Sequence, residues 1–184
     1  LRDHHRGQTP ALEWVEGTQR ALRLRQTDVH VWQTDFPRPP LSVSADSIAM
    51  PAMRCAGLLR SMGIQERDGS QGVFEVYPAL ALHRWIGASS GYKGKKGAAK
   101  RHEMVEKFQR KVPWLELPQA CRDDDDQFDA LVAAVIAKAC TSGLVDPIPA
   151  ELREAARREG WIACPAHDAL TRMVRSTRDQ TKSG

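Results

Sequence analysis

Three carboxylates stand out by residue type and place. Asp126 and Asp129 lie three residues apart in "RDDDDQFDALVAAVIA", residues 122–137, and Glu75 interrupts the apolar run "VFEVYP". At about 100° per residue, side chains three apart leave a helix from neighbouring points of one face. Two carboxylates that close repel one another unless a cation lies between them. Hard divalent ions such as Mg²⁺ or Mn²⁺ prefer carboxylate oxygen and complete their shells with water or substrate phosphate. The chemistry expected of such a set is metal-assisted cleavage of a phosphodiester, with Glu75, Asp126 and Asp129 as metal ligands and catalytic residues.

Each acid also has a plainer account. Consecutive aspartates suit a helix start, where each gains about 0.3 to 1 kcal/mol from the helix dipole. Asp123 and Asp124 are covered by that account, and Asp125 stays open as a fallback for Asp126. The stripe Phe128, Leu131, Val132, Val135, Ile136 and Ala139 has helical spacing, with Asp129 at its edge, either partly buried or solvated. Glu75 shares a strand face with Val73 and Tyr77, while Phe74 and Val76 face the other way. Both faces are therefore largely apolar, and the glutamate either has a partner or meets water on an edge strand.

A complementary charge lies between the two acidic elements. "GYKGKKGAAKRHEMVEKFQRK" from Gly91 is a glycine-rich basic loop feeding a helix. Lys93, Lys95, Lys96, Lys100 and Arg101 are expected to contact phosphate, and Tyr92 to stack on a base or sugar. A solvated loop is the alternative. The basic balance of the chain, +4 with a pI near 9.0, is informative because these residues cluster.

The elements that must position these groups follow from periodicity and punctuation. Residues 10–25 read as one or two helical turns, and "TDVHVWQTD" from Thr27 alternates like a short strand before "FPRPP". Ser42 or Ser44 caps a helix over about Ala45 to Met62, with Pro51 as a kink or as part of its first turn. "GVFEVYP" predicts a strand, "ALALHRWI" a short helix, "VPWLELP" a short strand, and residues 149–158 a final helix.

Composition narrows the classes. A length of 184 residues fits one domain, read here as residues 1–170 with a flexible tail at 171–184. No apolar run approaches the ~18 residues of a membrane span, and the polar opening is unlike a signal peptide, so a cytoplasmic location and no membrane partner are expected. The cysteines at 55, 121, 140 and 164 are scattered without a C-x-x-C pair, which argues for reduced thiols over a zinc site.

Taken in order, "LRQTD", "PLSVSADSIA", "FEVYPALAL", "YKG", "DDQFDALVAA" and "EGWIACP" resemble domain-of-unknown-function family 429, a family predicted to comprise RNase H-like nucleases. The resemblance covers nearly the whole chain. It implies an α/β, ribonuclease H-like mixed sheet flanked by helices, with metal-binding acids at strand ends and on the last core helix. By that likeness Glu75 takes the strand role and Asp126 with Asp129 the helix role. The family's opening strand, with its own aspartate, is expected upstream of residue 1. Arg25, Thr27 and Asp28 match another family motif and Asp46 a third. Arg25 and Asp28 enter as substrate-contact candidates, with a structural ion pair as the favoured alternative. The "DHH" of Asp3 to His5 follows no strand and lacks companion acids. The function expected is a metal-dependent nuclease acting on nucleic acid. A non-catalytic module binding nucleic acid or protein is the alternative, and a structural protein whose acids are caps is a third possibility.

Overall fold

The structure is a computed structural model that describes residues 24–34, 36–37, 40 and 48–174. The expected helix over 10–25 lies almost wholly outside these residues, as do the capping serines, Asp46 and the "DHH" stretch. The chain divides into two compact units, one of Leu1–Val73 with Pro149–Trp161 and one of Phe74–Ile148 with Ile162–Gly184.

In the first unit, helix α1 spans Gln26–Thr34 where alternation predicted a strand. The reason lies in its start. Asp28 reaches back to accept from the Arg25 backbone N–H at 2.9 Å, satisfying a helix-start donor, and Val31 joins Thr27 and Asp28 on a buried face with helical spacing. The valine alternation is incidental. Arg25 pairs with Asp28 at 3.0 Å and donates to the Glu159 carbonyl at 3.2 Å, so it fastens the start of α1 to a later helix of this unit. Asp28 is 1% exposed, which agrees with the ion-pair reading of this motif.

Helix α2, Ala49–Ser61, carries Pro51 in its first turn, where the missing N–H costs nothing. The expected 149–158 helix begins as a 3₁₀ turn at Ala150–Leu152 and continues as a seven-residue helix, Arg153–Glu159.

The second unit holds the sheet. Strand β1 is only Glu75–Val76, and it pairs in parallel with β2, Ile162–Ala163, in the register Glu75 to Ile162 and Val76 to Ala163. Pro78 ends the strand by opening helix α3, Pro78–Ile86, at its first position. Helix α4, Ala98–Lys111, follows the basic loop. The expected strand at "VPWLELP" does not form. Gln109 explains this, because its amide donates to the carbonyls of Val112 and Leu115 and accepts from Leu117 N–H at 3.0 Å. A side chain has taken the place of a neighbouring strand.

Helix α5, Ala120–Asp123, leads into the longest helix described, α6, Asp125–Thr141. The break falls at Asp124, whose extended backbone and carboxylate cap α6 by accepting from Asp126 N–H at 2.7 Å and Gln127 N–H at 3.1 Å. Capping therefore rests on Asp124 alone. Asp123 closes the preceding helix, and Asp125 and Asp126 form the first turn of α6. Asp124→Ala is expected to cost about 1 kcal/mol in urea denaturation, the usual loss for such a cap. An unchanged midpoint would show that the aspartates of the first turn compensate.

The core of this unit is aromatic at its centre. Phe108 of α4 meets Phe128 of α6 edge to face at 6.0 Å, and Phe128 meets the Tyr92 ring the same way at 5.9 Å. Such pairs add about 0.5 to 1.5 kcal/mol beyond the area they bury. Overall the architecture is α/β and mostly helical, with two short parallel strands among the described residues. No helix described is long and apolar enough to cross a membrane. The cysteines at 55, 121, 140 and 164 are free thiols, as their spacing predicts.

Candidate functional site

The acidic helix and the basic loop meet, and they meet through Asp125 and Asp129. Residues four apart on a helix lie nearly above one another, so the two carboxylates share one face of α6 at its start. The loop from Gly91 folds onto that face. Tyr92 Oη donates to Asp129 Oδ1 at 2.7 Å, and Lys93 Nζ donates to Asp129 Oδ2. The same ammonium stands 3.6 Å from Asp125 Oδ2, while the Gly94 backbone N–H donates to Asp125 Oδ1 at 2.9 Å. One cation is thus shared by two carboxylates, each held from its other oxygen by a second donor.

The loop can do this because of two glycines and one buried arginine. Gly94 has φ 64° and ψ −172°, a conformation essentially restricted to glycine, which turns its N–H toward Asp125. Gly97 lies against the Tyr92 and Gly91 backbone with no room for a side chain. Arg101 is 3% exposed and donates to the carbonyls of Tyr92, Gly94, Arg122 and Asp123. Its guanidinium joins the loop to the turn before α6. This is a positioning role, since planar multidentate donation fixes two backbone segments at once.

The charges of the contact are shifted in ways that widen its working range. The Gly94 N–H bond, and more weakly the nearby Lys93 ammonium, hold the Asp125 carboxyl below its ordinary 3.8 despite partial burial. Burial pulls Lys93 downward, but the Asp129 bond and the surrounding aspartates outweigh it and hold the amine above 10.5. Burial first, then the bond to Asp129, raise the Tyr92 phenol well above 10.0, so it stays a donor. The Asp125 contribution to stability is present above its unfolded value, about 3.9, and lost as pH falls through the lower folded value. The Lys93 contribution is present below its unfolded value, about 10.4, and lost as pH rises past the higher folded one. The stability difference between wild type and Asp125→Asn is therefore expected to be flat from about pH 4 to about pH 10. Thermal midpoints of the two proteins across pH 2 to 11 check this. A difference that slopes across neutral pH would contradict it.

The sequence-selected residues do not all gather at one place, and Arg25 with Asp28 belongs to the first unit. Asp129 sits at the centre, with Lys93 and Tyr92 bound to it. Asp126 is exposed on the neighbouring side of the first turn, and Asp125, the fallback, is the acid that shares Lys93 with Asp129. Glu75 is half-buried on β1, which packs against α6, but among the described residues no three His, Cys, Asp or Glu side chains are gathered closely enough to hold a metal. Tyr92 is 2% exposed, its ring packed on Phe128 and its hydroxyl on Asp129, so from this position it offers no face to a base. Arg101 is likewise spent on backbone carbonyls, with one guanidinium nitrogen also 3.7 Å from Asp125 Oδ1, and is not presented to phosphate. Lys100 pairs with Glu103 at 2.8 Å. Lys95 and Lys96 are exposed, with no ion pair among the described residues.

The Asp125 and Arg101 roles each had a signal in the sequence. Asp125 stands four residues before Asp129, a spacing that places both on one helix face. Arg101, Met104, Val105 and Phe108 follow the i, i+3, i+4, i+7 pattern, so Arg101 occupies the first place of a buried stripe.

As a cation site the pair fits in part. The donors are carboxylate oxygens, the chemistry hard divalent ions require, and an ammonium already stands between them. The protein brings two acids here, which suits an ion that keeps several waters and takes its remaining oxygens from phosphate.

Against known families, the model of the family described as "Protein of unknown function (DUF429)" matches residues 10–154. No curated protein and no solved structure matches the chain.

Proposed function

We propose that this chain, which belongs to the DUF429 family, serves in a divalent-metal-dependent nuclease of RNase H-like type. The observation that carries the reading is the pair Asp125 and Asp129, sharing a cation from the same loop that carries the exposed Lys95 and Lys96. A phosphodiester presents both halves of the complementary pattern: anionic oxygens for the lysines and a phosphoryl centre for a metal held by acids. The order of elements supports it too, with a strand glutamate, a basic loop and an acid-bearing helix all in one unit.

Asp125 and Asp129 are the residues that would hold Mg²⁺ or Mn²⁺. Such an ion supplies a Lewis acid to a phosphoryl oxygen. The chain's own residues do the rest. Tyr92 and the Gly94 N–H aim the two carboxylates, Arg101 holds the loop that carries them, and Lys95 and Lys96 draw the nucleic-acid backbone to the same edge.

Cleavage of labelled single- and double-stranded DNA and RNA is expected only with added Mg²⁺ or Mn²⁺. Asp129→Asn is expected to reduce it to background, because it removes one of the two carboxylates that would hold the ion. Undiminished cleavage by that variant would sink the site assignment. One observation favours a second reading: Lys93 and Arg101 together already balance the charge of the acid pair, as they would in a module that binds nucleic acid without turnover. Salt-sensitive nucleic-acid binding, with no Mn²⁺ heat in calorimetry and no cleavage, is the outcome that selects it.

A further inference from the structure

We infer that helix α2 of the first unit is a docking surface for an acidic helical segment of another protein, one that carries large apolar side chains on the docking face. The inference draws nothing from the acid pair of the second unit and stands apart from the proposed function.

Helix α2 lacks what usually holds so short a helix in place. Its 13 residues include Pro51 and, at the centre, Gly57, and such a helix is marginal in water unless a face of it is packed. None of residues 50–61 is buried, and Ala52 with Leu59, two turns apart, are the two that are half-covered. The large side chains point outward instead. Met50 is 59% exposed, Met53 68%, Leu58 60% and, just past the helix end, Met62 57%. Among the described residues these four are the exposed large apolar side chains, and all belong to this one helix and its end. A cluster of that kind marks a contact surface, where singly scattered apolar residues would mean nothing.

At about 100° per residue, Met50, Met53 and Gly57 form a ridge on the side away from Ala52 and Leu59. Gly57 is a notch in it, since a Cβ built there meets nothing within 4 Å. Methionine is flexible and adapts its shape to a partner.

Charge selects the occupant. Arg54 and Arg60 flank the ridge on opposite sides, both are exposed, neither forms an ion pair among the described residues, and the helix carries no acid. A second copy fits badly. In an antiparallel pair of α2 helices crossing at Gly57, position 54 of each faces position 60 of the other, so four arginines gather and repel. A lipid surface fits badly too, because interfacial helices use aromatic anchors and many cations, whereas α2 has no aromatic residue and two arginines. An acidic helix meets both features. Its apolar side chains fill the notch, and carboxylates about 9 Å apart along its axis, the rise over six residues, reach the two arginines.

Two fluorescein-labelled amphipathic peptides test this by fluorescence anisotropy with the full chain. One has leucines on one face flanked by glutamates, and the other has lysine in place of each glutamate. The glutamate peptide is expected to bind about tenfold more tightly or better, with a preference that shrinks as salt rises. Arg54→Glu combined with Arg60→Glu should invert the preference. Met53→Ser should weaken the glutamate peptide, and so should Gly57→Leu, which fills the notch while raising helix propensity, so that its loss of binding is not a loss of the helix. Circular dichroism checks the fold of each variant. No binding, equal affinity for the two peptides, or an unchanged preference in the arginine-reversed variant overturns the inference, the last because other basic segments would then hold the glutamates. A wild-type dimer in sedimentation that Met53→Ser dissociates overturns it in favour of a second copy. Retention on phosphatidylserine vesicles that the same variant loses overturns it in favour of a lipid surface.

Discussion

A valine at position 97 will unseat the basic loop from the acidic helix. A Cβ there would stand 2.4 Å from the Tyr92 carbonyl carbon and 2.8 Å from the carbonyl oxygens of Gly91 and Tyr92. These are backbone atoms, and they have nowhere to retreat. The Tyr92 carbonyl is held by Arg101, and its ring is packed against Phe128. Overpacking a well-filled interior costs about 1 to 3 kcal/mol and sometimes more, and a contact with backbone belongs at the upper end, so Gly97→Val is expected to cost about 3 kcal/mol. Urea denaturation followed by tryptophan fluorescence measures it. Since Lys93 reaches the acids only from a seated loop, the variant should also lose the flat pH window of the Asp125 contact. A variant within about 0.5 kcal/mol of wild type, the range of ordinary surface changes, would contradict the close approach.

Arg101→Met is expected to do comparable damage by a different route. The buried guanidinium satisfies carbonyls of Tyr92, Gly94, Arg122 and Asp123, on two separated stretches of backbone. Methionine fills the volume and satisfies none of them. Charged hydrogen bonds contribute about 1.5 to 3 kcal/mol each, with losses that overlap within one network, so a total near 3 to 5 kcal/mol is expected. Arg101→Lys separates charge from geometry. One ammonium cannot span both stretches, so lysine should recover less than half of the loss. Full recovery by lysine would show that positive charge alone, and not the planar fork, holds the loop to the turn before α6.

Strongly periodic segments were legible in the residues, although the helix expected from about Ala45 begins at Ala49, with Ile48 as its cap and no side-chain bond there. Pro78 opens α3, Pro51 lies in the first turn of α2, and the stripe from Phe128 to Ala139 is the buried face of α6, all as local rules require. The failures share a cause. "TDVHVW" alternates like a strand, yet forms α1 because Asp28 bonds the Arg25 N–H at 2.9 Å. "VPWLELP" reads as a strand, yet its backbone is satisfied by the Gln109 side chain. In both places one polar side chain supplied the backbone partner that periodicity cannot see.

The site divides along a similar line. Residue types single out Asp129 and the basic loop, but they place the loop lysines on phosphate and do not foresee their pairing with the acids. Which aspartate joins Asp129 they leave open, with Asp126 preferred and Asp125 as the fallback. Asp126 and Asp125 differ by one position, and the choice fell to Asp125 because Asp124 turns the chain and the Gly94 N–H arrives on the Asp125 side.

By itself, then, the sequence determined which residues are acidic, basic or glycine, roughly where the strongly periodic helices lie, and that opposite charges occupy neighbouring segments of the chain. Only the tertiary structure decided that Tyr92 and Arg101 face inward as supports, that Lys93 faces the acids, and that Lys95 and Lys96 remain on the outside. The physical reason is that burial and hydrogen bonding depend on how closely two backbones approach. At this site that distance is set by Gly97, whose missing side chain carries no charge and no periodicity for a sequence pattern to reveal.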